Sequence, residues 1–461
     1  MIKNIKILVF NKEKPLLIGA GFVHLLKAKW EQNQACVVVK GATLLFFVIA
    51  LNLTVFSQEK QAITLADVLK IGGASNLTIK EYNELQNLAL AESKYAKNWW
   101  LPEIYAGGKT HNLWGADMVN NGNFIDGIAR ENFWAGLGLN ASWDIGGNIY
   151  KAKANSLKLE ASSHLTQIKR NEVLLKSIEI YYQCLQAQLE MSAYKELVNQ
   201  SEIIITQIKV KVDAGLTYQS DLLLAKSNHS YLKSEMLEAR ITYSTNLSLL
   251  QEQLNIPITT ELVCADTILT KLEMAVAETS VEEAYNNRPE IKYLELTTQS
   301  IQAEKKTYST GLLFPEIQAG ANVGMYGQPI SPLNDRSVLN VALMWKIPLR
   351  NFGFGKVYQS KVSLSQIKMD QAKNSIAQEI NSSDKALKQY SAILNLSKEA
   401  QDFSREALGQ GVERQKLGTA KILEVFQMQQ AYLKARLSYT KAVINFNVAQ
   451  YTNFVAKGNN L

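Results

Sequence analysis

Pro102-Glu103-Ile104-Tyr105-Ala106-Gly107 recurs 213 positions later as Pro315-Glu316-Ile317-Gln318-Ala319-Gly320. Each copy closes a long polar segment rich in Ala and Leu and opens a stretch of short alternating runs. A much longer segment poor in Gly and Pro follows each. Self-similarity on this scale marks one structural unit written twice. The chain therefore reads as a duplicated helix–strand–strand–helix–helix unit, mainly α with a smaller β part.

Outward from the block the alternation has period two. Ile104, Ala106 and Gly108 oppose Tyr105, Gly107 and Lys109, while Ile317, Ala319, Ala321 and Val323 oppose Gln318, Gly320, Asn322 and Gly324. In the companion run, Phe133, Ala135, Leu137, Leu139, Ala141 and Trp143 alternate with Trp134, Gly136, Gly138, Asn140 and Ser142. Leu339, Val341, Leu343, Trp345 and Ile347 do the same in the second copy. Strands are expected at about 103–112, 132–144, 316–327 and 337–348. An apolar face backed by a small or polar one is the pattern of a membrane barrel around a watery lumen. A soluble, half-buried sheet alternates similarly. The tryptophans favour the barrel: Trp99, Trp100, Trp114, Trp134, Trp143 and Trp345, six of seven, fall in or beside these runs, as an interfacial aromatic girdle requires.

Chain breakers delimit the helices. Residues 148–214 contain neither Gly nor Pro, and neither do 356–408. Pro costs about 3 kcal/mol and Gly about 1 kcal/mol inside a helix, so both stretches read as very long helices. Leu174, Ile178, Tyr181, Leu185 and Leu189 step by three and four, a narrow stripe suited to antiparallel coiled-coil packing. Gly409 and Gly411 predict a bend or fraying near the end of the second long helix. Residues 64–100 and 219–255 read as helices of ~55 Å each, against ~100 Å for 148–214. The second copy repeats this with 280–313 and 421–456 against 356–416. Two short helices thus stack alongside one long one, with hairpins at Gly215 and Gly418.

Four strands cannot close a barrel, and an open edge in lipid leaves backbone groups unpaired. Three copies supply twelve strands, an even number within the known range, and twelve packed helices below them.

The chain's formal net charge is +7. The first 57 residues, with seven Lys and two Glu, hold most of that excess. The nearly balanced body carries no basic stripe for nucleic acid. Lys40, the apolar run 42–56 and Ser57 read as a secretory signal after a long leader, 1–57. A membrane anchor is the competing reading. No Cys stands at the expected cleavage point, which argues against a lipid anchor. Cys184 and Cys264 form no disulfide framework or zinc pattern, and His24, His111, His164 and His229 have no metal-ligand spacing. Gly136-Leu-Gly-Leu-Asn-Ala141 matches a loose nucleotide-binding pattern but lies inside an alternating strand rather than at a strand-to-helix turn. No catalytic constellation and no cofactor site is expected, so the chain does not read as an enzyme.

Several local signatures accompany this order. Asn287-Arg288-Pro289-Glu290-Ile291 resembles the Arg-Pro-Glu helix opening of the TolC family of outer-membrane efflux and secretion channels. The first copy has Ser75-Asn76-Leu77-Thr78-Ile79 instead. Leu101-Pro102-Glu103-Ile104 and Phe314-Pro315-Glu316-Ile317 resemble its helix-to-strand junctions. Gly215-Leu216-Thr217-Tyr218-Gln219-Ser220-Asp221 and Gly418-Thr419-Ala420-Lys421-Ile422-Leu423-Glu424 resemble its hairpin turns. The resemblance runs from about Ile63 to Val455. It implies repeats at 58–257 and 280–461 joined by an equatorial linker at 258–279. It also implies a homotrimer combining a 12-stranded outer-membrane β-barrel, in contact with lipid, and a long periplasmic coiled-coil α-barrel.

The function implied is a passive export duct of a tripartite efflux pump or type I secretion system. Its implied partners are a periplasmic adaptor and an inner-membrane pump or ABC exporter. By the same resemblance Asp221 and Glu424 ring the constriction at the tunnel tip, with Tyr218 and Lys421 as contacts. The family's basic gate partner is Ala420 here and its second acidic position is Gln427, so Lys421 is the expected substitute. Gly215 and Gly418 mark the tips that dock the adaptor. The rival reading from another class is a periplasmic or surface coiled-coil scaffold with a small solvated head. The residues do not name a cargo.

Overall fold

The computed structural model describes residues 61–119, 121–266, 269–274, 280–328, 332–346, 348–349 and 353–461. The leader and signal lie outside them, as do part of the linker and residue 347 of the last expected strand. A short strand β1 (Gln61–Ile63) precedes α1 (Leu65–Ser75) and α2 (Leu77–Lys97). Strands β2 (Glu103–Met118) and β3 (Phe124–Asp144) follow, then α3 (Ile145–Asp213), α4 (Gln219–Leu254) and β4 (Leu262–Cys264). The second half runs α5 (Val281–Asn287), α6 (Pro289–Thr307), a 3₁₀ turn (Thr310–Leu313), β5 (Glu316–Gly327), β6 (Asn334–Met344), α7 (Phe354–Lys416) and α8 (Ile422–Ala456).

The first short helix of each copy, expected at 64–100 and 280–313, is in fact two. In the first copy Asn76 divides it. Its backbone N–H still closes α1 onto Gly72, while its side-chain oxygen caps α2 through the Thr78 and Ile79 N–H groups at 2.8 and 3.3 Å. Its amide also donates to the Gln253 carbonyl at 2.7 Å. The second copy divides at Arg288, because Pro289 disfavours helical backbone in the residue before it. Residues 310–313 are a separate 3₁₀ turn.

Strand bounds differ for a local reason. β2 and β3 extend to Met118 and back from Phe124, well past the expected ends. Their register shifts between Gly115 and Asp117 and hides the alternation there. β6 begins earlier, at Asn334, and ends at Met344. The linker holds an unexpected strand, β4, paired in parallel with β1 (Ile63 opposite Cys264). Past Gly409 and Gly411, where a bend or fraying is expected, α7 stays helical to Lys416. At Gly411 an added Cβ would come 2.2 Å from Met428 Sδ, so this glycine serves close helix packing.

The 69 residues of α3 span ~104 Å. Its first part meets the upper helices: Ser156 bonds Ser93 of α2, and the Ala154 carbonyl accepts from Ser300 of α6. Its second part meets the lower ones, through Gln183 to Asn246 of α4 and Glu196 to Arg436 of α8. Between these levels lies a core of Ile63, Val68, Ile178, Tyr181, Leu185, Leu250 and Leu254, all fully or almost fully buried. Burial first, and then the bond to Asp266, pushes the Tyr181 hydroxyl well above its ordinary pKa. Cys184 and Cys264, both free thiols and both buried, belong to this core.

Three amides on α8 hold the middle of the molecule together. Asn447 accepts the Leu272 N–H at 2.8 Å and donates to the Thr270 carbonyl at 3.0 Å. Gln450, one turn on, accepts the Met274 N–H at 2.8 Å and donates to the Leu272 carbonyl. Asn453 then reaches Ser383 and Asp384 of α7. The first two side chains thus act as a surrogate strand for linker residues 270–274. Removing a buried partner leaves the other group unsatisfied at about 1–3 kcal/mol. Asn447→Leu is therefore expected to free the linker, read as faster tryptic cleavage after Lys271 in the folded protein.

The four long strands form one antiparallel sheet in the order β2-β3-β5-β6, so the hairpins of the two copies join side by side at β3–β5. β2 and β6 are its outer strands. Among the described residues no helix is long and apolar enough to cross a membrane.

Candidate functional site

Cross-strand register sorts the sheet into two faces. Ile104, Leu139, Ala321 and Leu339 form one row across all four strands, and Ala106, Leu137, Val323 and Ser337 form the next. These outer residues are bare: Ile104 is 79 % exposed, Leu339 75 % and Val341 71 %. The opposite face carries Tyr105, Lys109, His111, Asn132, Trp134, Asn322, Tyr326 and Arg336 around a concavity of 520 Å³. Gly136 and Gly324 stand opposite one another, where an added Cβ would come within 2.1–2.3 Å of the neighbouring strand's carbonyl, so only glycine fits. Trp134 lies on this inner face beside Tyr105, with ring centroids 6.2 Å apart, and so is not part of an outward girdle. Trp100, Trp114 and Trp345 are exposed as a girdle needs.

The wall joins the helices at the two expected prolines. Pro102 and Pro315 immediately precede β2 and β5, where a residue without an N–H begins a strand without loss. The Trp143 indole donates to the Trp100 carbonyl at 2.8 Å, closing the first junction. Glu316 accepts from Ser142 and Gln318 and pairs with Lys346, tying β3, β5 and the end of β6. The two copies touch backbone to backbone at Gly146 and Gly311, where a Cβ on Gly146 would lie 2.1 Å from the Gly311 carbonyl.

At the far end two hairpins close with the same geometry. Gly215 has φ +71° and Gly418 has φ +78°. Leu216 N–H bonds the Lys211 carbonyl at 2.8 Å, and Thr419 N–H bonds that of Arg414 at 2.9 Å, which closes each helix in a Schellman motif. A shared core of Ile204, Ile208, Leu222, Leu408, Val425 and Phe426 lies behind the tips. Lys211 donates to the Gln415 carbonyl at 3.1 Å and joins one hairpin to the other. An L-residue with left-handed backbone costs about 1–2 kcal/mol. Gly418→Ala is expected to destabilise by that amount. Gly409→Ala, in open space inside a helix, is expected to stabilise by about 0.5–1 kcal/mol. Thermal unfolding of the two variants should move in opposite directions.

The nominated tip residues are placed as follows. Asp221 and Glu424 occupy the first turns of α4 and α8, one per hairpin. Asp221 accepts from the Thr217 hydroxyl. Glu424 lies 3.8 Å from the Arg414 guanidinium, an ion pair within its own hairpin. Lys421, the expected substitute base, meets Glu424 only through its backbone carbonyl, which accepts the Glu424 N–H at 3.1 Å. Lys421 starts its helix as the cap residue, whereas Arg414 stands one turn back across the hairpin and reaches over it. Tyr218 is 81 % exposed and likewise offers only its carbonyl, to the Asp221 N–H. Lys211 and Arg414 each stand four residues before a turn glycine; that shared spacing is the signal that would have singled out Arg414. Among the described residues no group of His, Cys, Asp and Glu could hold a metal ion.

No family model and no curated protein matches the sequence. Solved structures do match the fold. The Campylobacter jejuni CmeC outer membrane channel is similar at 14 % identity and TM-score 0.74, over 86 % of this chain and 85 % of that one. The Neisseria gonorrhoeae MtrE outer membrane channel is similar at 16 % and 0.70, over 86 % and 89 %. The outer membrane protein VceC from Vibrio cholerae gives 13 % and 0.70, over 86 % and 96 %. Across this coverage and these TM-scores the likeness is one of fold: this chain has the fold of the TolC family of outer-membrane channels.

Proposed function

We propose that the chain is one protomer of a trimeric outer-membrane export channel, whose helices continue the barrel as a periplasmic tunnel. One observation carries this reading: the sheet exposes a continuous apolar face and ends in two outer strands, β2 and β6. Water disfavours such a face, and lipid disfavours such edges. Three copies pairing β6 with β2 of the next remove both penalties. The helical layer has matching unpartnered seams. Val357, Leu364 and Ile367, then Ile393, Leu396 and Phe403, lie exposed along α7 at coiled-coil steps of seven and three.

The duct works without chemistry of its own. An adaptor that docks on the tips around Gly215 and Gly418, and a pump or ABC exporter in the inner membrane, are the partners of this reading; tripartite efflux and type I secretion both fit. Asp221 and Glu424 set the tip's charge, with Thr217 and Arg414 holding them. In planar bilayers the purified protein is expected to conduct, and Asp221→Ala with Glu424→Ala is expected to reduce its cation preference. Selectivity unchanged by the double substitution would remove these residues from the gate. Release of the protein from membranes by salt or carbonate would replace the channel with a scaffold.

A further inference from the structure

The inner face of the sheet holds a built patch that export alone does not explain. Tyr105 lies over Gly138, where an added Cβ would come 2.2 Å from its ring, so the phenol occupies space that only a glycine leaves open. Trp134 lies beside it, and its indole N–H is buried without a partner. Across the concavity the Arg336 guanidinium stacks 4.1 Å from the Tyr326 ring centroid. Lys109, opposite Trp134 in register, and His111 complete the lining, which includes no carboxylate among the described residues. Flat aromatic faces flanked by cations suit a planar ring bearing negative charge: stacking takes the ring and the basic groups take the anion.

We propose that this patch is a binding subsite for planar aromatic anions, such as aryl carboxylates and sulfonates, passing through the barrel. The proposal rests on the channel reading, under which the trimer presents three such patches around one lumen. Arg336 is already oriented by Tyr326 and loses little freedom on binding. The acidic tip lies at the other end of the duct, so a probe added on the barrel side meets the patch first.

The test is block of single-channel current by 2-naphthalenesulfonate, with phenyltrimethylammonium as the cation of similar size. The sulfonate is expected to block. Lys109→Gln with Arg336→Gln should raise its half-blocking concentration roughly tenfold. Tyr105→Leu, which leaves both charges in place, should weaken block as well. Equal block by the two ions, or sulfonate block unchanged in the double variant, overturns the subsite while leaving the channel standing. A protein that never conducts overturns the channel reading, and the subsite with it.

An independent observation carries a second inference. Cys184 on α3 and Cys264 on β4 are free thiols buried in the same central core cluster. Gln188, one turn from Cys184, donates to the Cys264 carbonyl at 3.4 Å and holds β4 against the helix. The geometry points to a Cys184–Cys264 disulfide in the exported protein, linking the inter-repeat strand to the long helix. Export places the chain where disulfides persist. The bond forms when a disulfide of a thiol-oxidase protein accepts two electrons and two protons from the two thiols and leaves as a dithiol. Both sulfurs are closed off in the folded state, so oxidation precedes docking of β4.

The protein is taken from the outer-membrane fraction, alkylated in denaturant without reductant and digested with trypsin. One linked peptide pair containing Cys184 and Cys264 is expected. Recovery of both peptides singly alkylated, from a chain in that fraction, overturns the disulfide alone. Recovery of the chain only from the cytosol overturns export and the disulfide together.

Discussion

Arg288→Met is expected to destabilise the folded chain by about 3–5 kcal/mol, the usual cost of removing one partner from a buried ionic network. All five guanidinium N–H groups are used. Nε and Nη2 grip Glu290 at 2.9 and 3.0 Å, and Nη2 also reaches Glu379 at 2.8 Å. Nη1 donates to the last carbonyls of α8, those of Val455 and Ala456, at 3.1 and 3.2 Å. One side chain therefore pins three helices, α6, α7 and α8. Without it the buried Ala456 carbonyl loses its guanidinium donor, while that of Val455 keeps the Gly458 N–H at 2.9 Å. Glu290 and Glu379 are partly exposed and recover some hydration, which keeps the loss from growing further. Arg288→Lys is expected to recover less than half, because an ammonium cannot match a planar five-donor fork. Asn76→Ala at the equivalent break in the first copy is expected to cost only about 1–2 kcal/mol, the worth of a cap. Thermal unfolding of the detergent-solubilised protein orders the three variants. Arg288→Met melting within about 2 °C of the parent would show that the network is ornamental.

Under the channel reading, Leu339→Lys is expected to remove the protein from the outer membrane as an assembled trimer. Leu339 stands on the apolar face opposite Ala321, which lies five residues beyond Glu316 along β5. A lysine on the lipid face of a barrel costs about 2–4 kcal/mol near mid-membrane and up to about 1 kcal/mol near its borders. Three copies multiply this. If the sheet were a solvated head, the same change would relieve an exposed leucine and cost nothing. Asn340→Lys supplies the control, because the next residue of a strand faces the opposite side. It stands opposite Gly320 on the other face, the lumen side under the channel reading, and is expected to be tolerated. Heat-resistant oligomers in membrane fractions distinguish the pair. Equal behaviour of the two variants would refute a membrane wall.

Much of this architecture is legible in the residues. The repeated Pro-Glu-Ile blocks, the alternation from Ile104 and from Ile317, and the breaker-free stretches announce strands and helices because those signals are local. Helix ends needing a long-range partner were not legible. The breaks at Asn76 and Arg288 combine a local cause, a cap and the following Pro289, with bonds to Gln253, Glu379, Val455 and Ala456 far along the chain. Linker residues 270–274 bond to amides of α8 that lie about 175 positions away. The tip shows the same limit. Its glycines and acids could be assigned from the hairpin pattern, but the pairing of Glu424 with Arg414 inside its own hairpin was not legible, because it depends on how the hairpin folds back.

By itself the sequence determined the duplicated unit, the two-faced strands and the long stacked helices, since period, propensity and breakers act over a few residues. Only the tertiary structure decided that β3 and β5 join the two copies into one sheet. It also decided that Trp134 turns inward with Tyr105, and that the two buried cysteines share one core. Those outcomes depend on register and packing between segments far apart in the chain, where no local preference reaches.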